Sequence, residues 1–187
     1  FSAVALNLVG KLYIERDGSE SLTISADDNI LPLIQTRVRN GVLTIELDRA
    51  TNLMQVNDLT YRISVKNLDE LNVNGAAEVL VSGLDSESLD VTINGAGKVT
   101  ASGKAERHTV TINGAGDYNA PNLESRVAKV KNAGLGRVIV RVSDVYPDGR
   151  SILIMDYVRR ARYRDGYDKE VMLEPGKVTK VAVDVGN

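Results

Sequence analysis

The sequence predicts an all-β chain: a β-solenoid of stacked coils with a short appendage of strands at its C-terminal end. Three observations predict it. Apolar and polar residues alternate with a period of two through most of the chain. A block containing Asn-Gly-Ala returns at an almost fixed interval in the middle. Large rings are scarce: the 187 residues hold no Trp, one Phe and seven Tyr, against 16 Gly. Aromatic side chains normally fill core volume. Here Val, Ile, Leu and Ala must fill narrow layers instead.

The first elements are short alternating strands. Leu12 and Ile14 alternate with Tyr13 and Glu15. Leu22 and Ile24 follow, then Leu43, Ile45 and Leu47, then Tyr61, Ile63 and Val65. Turn chemistry punctuates them at Asp17-Gly18, Asp27-Asp28-Asn29, Asn40-Gly41 and Asn67. Alternation bounded by such residues reads as strand. The best helical window, about residues 27–37, is interrupted by Pro32, which removes a backbone donor.

The middle is an internal repeat. Leu71-Asn-Val-Asn-Gly-Ala-Ala-Glu-Val79 aligns with Val91-Thr-Ile-Asn-Gly-Ala-Gly-Lys-Val99. Val110-Thr-Ile-Asn-Gly-Ala-Gly-Asp-Tyr118 and the degenerate Val130-Lys-Asn-Ala-Gly-Leu-Gly-Arg-Val138 continue it. The marker glycines Gly75, Gly95, Gly114 and Gly134 are 20, 19 and 20 residues apart. A fixed period of this size signals stacked coils. Each coil then carries a strand such as Val91–Ile93 and, past the glycine corner, a second such as Val99–Ala101. Val91 and Ile93 should stack on Val110 and Ile112, about 4.8 Å away. Asn74, Asn94 and Asn113 should form an amide ladder, with a ligand or glycan contact as the other reading of these positions. Gly75, Gly95, Gly97, Gly114, Gly116, Gly134 and Gly136 are expected at the corners because Gly tolerates positive φ.

These repeats resemble the putative auto-transporter adhesin head domain with its Gly-Ile-Asn signature. The opening Phe1-Ser-Ala-Val4, Gly10-Lys-Leu-Tyr-Ile14, Leu22-Thr-Ile24, Ala26-Asp-Asp-Asn-Ile30 and Asn40-Gly-Val-Leu-Thr-Ile45 resembles that family's first segment. The likeness covers about residues 1–143. It implies a right-handed parallel β-helix on a secreted or surface-exposed bacterial protein, with no catalytic residues to carry over. Ala77 in place of the second glycine, and Asn132 at an inward position, depart from the pattern and imply irregular coils at both ends of the repeat.

Composition shifts at about Asp144. Four of the seven Tyr and five Arg between Arg150 and Arg164 lie beyond it. Asp144-Val-Tyr-Pro-Asp-Gly-Arg-Ser151, Arg160-Ala-Arg-Tyr-Arg-Asp165, Leu173-Glu-Pro-Gly-Lys-Val178 and Val181-Ala-Val-Asp184 are similar to part of the C-terminal jelly-roll domain of cocaine esterase and X-prolyl dipeptidyl peptidase-type hydrolases. In those enzymes the catalytic serine machinery sits on another domain, so the resemblance implies β-structure without catalysis. The expected domains are therefore 1–143, a solenoid head, and 144–187, a cap or oligomerisation element. The pairing of unrelated pieces suggests a chimera. Strands at Ser151–Met155, Arg159–Arg164 and Val178–Val185 could cover the open solenoid end, which otherwise invites edge pairing. Tyr157, Arg160, Arg162, Tyr163 and Arg164 are the candidate interface residues for a homo-oligomer.

Site chemistry is sparse. Gly149-Arg-Ser151 lacks the second glycine of a nucleophile elbow. The only His, His108, could join Asp90 or Glu106 and a Ser, but reads as an outward surface residue. Asp27-Asp28 and Asp85/Glu87/Asp90 match no recognised calcium loop. Gly95-Ala-Gly97 and Gly114-Ala-Gly116 lack the third glycine and following helix of a nucleotide loop. No catalytic residue, metal or cofactor is assigned. There is no Cys, hence no disulfide or thiolate. The net charge of −2 gives no global pull toward nucleic acid. In residues 144–187 eight basic residues meet eight acidic ones. No apolar run reaches membrane-spanning length, so no membrane insertion is expected. The chain starts at Phe1 rather than Met, which reads as a processed or trimmed product; the envelope or secreted location is what the adhesin-head resemblance implies. The functional expectation is a non-catalytic adhesion or assembly module with a glycan or protein ligand. The competing expectation is a hydrolase or carbohydrate-active enzyme with its site at the solenoid–tail junction.

Overall fold

A computed structural model describes residues 1–48, 59–145, 151–153 and 156–157. The described chain is all-β, with a strongly curled sheet and one 3-10 turn at Leu31–Leu33. That turn lies in the window that Pro32 interrupts. The first strands are β1 (Ala3–Leu6), β2 (Gly10–Arg16), β3 (Ser21–Ser25), β4 (Ile34–Arg39), β5 (Val42–Leu47), β6 (Thr60–Val65) and β7 (Glu70–Val73). The repeat supplies β8 (Ala77–Ile93), β9 (Lys98–Ile112), β10 (Asp117–Asn132) and β11 (Val138–Val145). Two short strands follow, β12 (Ser151–Leu153) and β13 (Asp156–Tyr157).

The repeat strands pair in parallel, each with the strand one period later. Val91 pairs with Val110 and Ile93 with Ile112. Because inward positions recur at the same place in each period, the core is a set of columns. One runs Leu43, Val4, Leu71, Val91, Val110, Val130. Another runs Tyr61, Leu12, Val79, Val99, Tyr118, Val138. All twelve are buried. Covering each such aliphatic side chain is worth about 1.5–3 kcal/mol. The core is thus mainly aliphatic, as the composition implies, but Tyr61 and Tyr118 are fully buried in one column.

The long strands do not alternate without interruption. Register shifts occur between Val81 and Leu84 and between Asn119 and Asn122. Gly83 (φ +69°) and Gly103 (φ +121°) mark one bend, a backbone that side-chain-bearing residues rarely adopt.

Antiparallel strands flank the parallel stack at both ends. β4 and β5 form a hairpin whose turn is Asn40 (φ +50°) and Gly41 (φ +78°). Two left-handed residues match the twist of a two-residue hairpin. β3 runs antiparallel to β6. At the other end, β12 and β13 both lie antiparallel to β11.

Candidate functional site

The most ordered surface is the row of corners. Asn74 donates from Nδ2 to Asn7 Oδ1, Asn94 to Asn74 and Asn113 to Asn94, each at 2.7 Å. Asn7 donates in turn to Glu46 Oε2 at 3.4 Å, and Arg37 pairs with Glu46 Oε1 at 3.0 Å. The ladder therefore has a direction, and an ion pair anchors its first rung. It stops at Asn113 because the next position is Ala133, which has no amide. Asn7 is a rung that the repeat spacing missed, since it lies outside the periodic block.

The corner glycines are glycines because of contact, which corrects the positive-φ explanation. Positive φ among the described residues is confined to Asn40, Gly10, Gly18, Gly41, Gly83 and Gly103. A Cβ on Gly75 would meet the Leu8 carbonyl, and one on Gly95 the Gly75 carbonyl. Gly114 meets Gly95 in the same way, and Gly134 meets Gly114. Gly97, Gly116 and Gly136 pack one on another along the next row, where a Cβ on Gly116 would meet the Gly97 carbonyl and one on Gly136 the Gly116 carbonyl. Each corner rests directly on the backbone of the one before.

Beside the ladder stand exposed Ala76, Ala96, Ala115 and Leu135, the last 69% exposed. Beyond these methyl groups the register places Lys11, Glu78, Lys98 and Asp117 in line, with alternating sign. Arg137 follows, its backbone N–H held by Asp117 Oδ1 at 2.8 Å. A second alternating row runs Asp85, Lys104, Glu124. Opposite charges on neighbouring strands add about 0.2–1 kcal/mol per pair and oppose a slipped register.

His108 is inside, not outside. It is 1% exposed, between Leu89 and Ala128 in its column. Its Nε2 shares a 2.7 Å hydrogen bond with the Tyr118 hydroxyl, and the rings lie 5.2 Å apart. Its Nδ1 is buried without a protein partner. Burial lowers the imidazole pKa to about 4 and pushes the Tyr118 hydroxyl up, so both groups are neutral at pH 7. The signal for this placement was available: His108 shares the parity of Val110 and Ile112. Asp90 and Glu106 are both exposed, and Glu106 pairs with Arg126 at 3.2 Å. Among the described residues, no triad forms around this histidine.

Asn132 does take an inward position and is buried. It satisfies itself locally, donating to the Gly136 carbonyl at 2.6 Å and accepting from the Gly134 N–H at 3.1 Å. A shallow, open depression beside the second charge row is lined by Gly83, Leu84, Asp85, Gly103, Lys104, Asn122 and Glu124. Among the described residues, no three His, Cys, Asp or Glu side chains converge. No helix among them is long and apolar enough to cross a membrane. Of the tail candidates, Tyr157 contributes its backbone to β13, opposite Val138. Arg160, Arg162, Tyr163 and Arg164 lie outside the described residues, as do the expected strands at Arg159–Arg164 and Val178–Val185.

The described strands form an all-β module with a strongly curled sheet, whose corner rows rest on backbone contacts between successive repeats. The chain belongs to the family described as putative auto-transporter adhesin, head GIN domain, whose model matches residues 1–145. A second model, the X-Pro dipeptidyl-peptidase C-terminal non-catalytic domain, matches residues 120–186 and overlaps the first. The chain is similar to the crystal structure of a putative adhesin from Bacteroides fragilis, with a TM-score of 0.62, 22% identity and 77% of each chain covered. It is also similar to a putative adhesin from Parabacteroides distasonis, with a TM-score of 0.43, 17% identity, and 74% of this chain and 77% of that one covered. A putative lipid binding protein from the same species gives a TM-score of 0.43 and 16% identity, over 76% and 78% of the two chains. No curated protein matches the chain.

Proposed function

We propose that the chain is a non-catalytic module of the bacterial envelope or secreted layer that presents its corner rows to a surface glycan or a protein. On this reading residues 1–143 form a right-handed parallel β-helix. Residues 144–187 cover its last coil and join copies of the chain into a homo-oligomer. Two unlike family patterns in one chain support a composite origin.

The observation that carries the proposal is the alignment of amides, methyls and alternating charges along one edge. Such an edge offers many equivalent weak contacts at the spacing of paired strands, about 4.8 Å. A repetitive partner meeting it gains affinity by multivalency rather than by enclosure. Catalysis asks for the opposite, a concave site where an acid, a base or a nucleophile converge. The family description, an adhesin head, agrees with the first arrangement.

The test has two arms. The full chain is applied to glycan and protein arrays, and separately to panels of esters, glycosides and phosphoesters. Selective array binding without turnover is the expected result. Turnover abolished by one carboxylate, serine or His108 substitution would establish the enzyme reading in its place.

A further inference from the structure

The sequence contains four Asn-Gly dipeptides, at Asn40, Asn74, Asn94 and Asn113. This pair is chemically labile because glycine leaves its own nitrogen unhindered. The glycine backbone nitrogen attacks the asparagine side-chain carbonyl carbon. The bond to the side-chain nitrogen breaks, and ammonia leaves with the displaced proton. The resulting succinimide is opened by water at either carbonyl, giving aspartate or isoaspartate. No oxidant or enzyme is required.

The four sites differ in how tightly the reacting amide is held. Asn74 and Asn94 each donate one ladder hydrogen bond and accept another. Asn113 donates one and accepts none, because Ala133 follows it in the row. Asn40 has no side-chain hydrogen bond among the described residues and sits in a hairpin turn. Its Gly41 has open space where a Cβ would stand, whereas Gly75, Gly95 and Gly114 are pressed against the corner before them. Attack requires the amide to swing over its own backbone, which breaks whatever bonds it makes.

We infer that Asn40 and Asn113 are the chain's sites of spontaneous modification, and that the ladder protects Asn74 and Asn94 from the same reaction. The order of conversion is Asn40, then Asn113, then Asn94 and Asn74. One ladder bond should separate Asn113 from Asn94 by about fivefold in rate. Conversion at a rung removes the Nδ2 donor. The isoaspartate product also lengthens the backbone at a corner that has no room for it.

The experiment incubates the folded full chain at mildly alkaline pH and follows aspartate and isoaspartate at each site by peptide mass spectrometry. Asn40 serves as the internal clock. Ala133→Asn supplies the missing rung and should slow Asn113 about fivefold while leaving Asn40 unchanged. Asn94→Ala removes the side-chain hydrogen bond of Asn113 and should speed its conversion toward that of Asn40. Equal rates at Asn113 and Asn94 in the unsubstituted chain overturn the inference. So does an Asn113 rate that moves with neither variant.

Discussion

Asn94 Nδ2 lies 2.7 Å from Asn74 Oδ1, the matching position one repeat earlier. Asn94 is also the acceptor for Asn113 at 2.7 Å, so one side chain ties three repeats together. Asn94→Ala should cost about 1–2 kcal/mol, and Asn113→Ala, which breaks one bond, about half of that. Urea unfolding midpoints of the two variants check the ratio. Equal losses would mean that the rungs do not act as a chain.

The corner glycines predict a larger effect. A methyl on Gly95 or Gly114 meets a backbone carbonyl of the preceding corner, which cannot rotate away. Gly114→Ala should therefore cost about 3 kcal/mol or more, in the range of overpacked cores. Ala115→Ser, at the exposed neighbouring position, should stay within about 0.5 kcal/mol. Thermal unfolding of both variants makes the comparison.

His108 predicts a pH dependence. Its folded pKa is lowered to about 4, against an ordinary 6.5. The unfolded chain therefore binds a proton that the folded chain refuses. No stability is lost above pH 6.5, and loss accumulates as the pH falls from there to about 4. The full effect is about 3 kcal/mol. His108→Gln keeps a hydrogen-bonding partner for Tyr118 without titrating. Urea midpoints between pH 7.5 and 4 should fall more steeply for the unsubstituted chain than for this variant. Parallel slopes would place the imidazole in water.

The tail predicts a change of state. β12 and β13 lie along the edge of β11. Removing residues 144–187 leaves that edge open, and open edges recruit other strands. Light scattering should show a different oligomeric state or aggregation. A soluble product with unchanged mass per particle, apart from the deletion, would remove the capping and pairing role.

The repeat was legible because its physics is local and periodic. Val91 and Val110 occupy the same place in successive periods, and the same place in a period means the same column. The polarity of Asn132 was equally legible, because Ile112 stands at the matching position. What the sequence could not show is the pairing of distant segments. β2 pairs with both β6 and β8, and β1 with both β5 and β7. Nothing local in Gly10–Arg16 encodes those partners. The glycine corners are legible as positions but not in their cause, since a contact between backbones one period apart leaves no mark beyond the glycine itself. The inward place of His108 is written in its parity with Val110, against its polar character. Of the depression beside Lys104 the sequence carried no sign, because it arises where register shifts bring Asp85 and Glu124 to either side.

On the proposed function the corner rows are the contact surface. Ala96 and Ala115 are exposed in the middle of those rows, so replacing both with Arg should leave the fold intact and block close approach. The direct measurement is array binding of the unsubstituted chain and the Ala96→Arg/Ala115→Arg variant, with melting temperatures alongside. Equal melting and loss of the selective array signals in the variant are the expected result. Undiminished binding by an equally stable variant would contradict it.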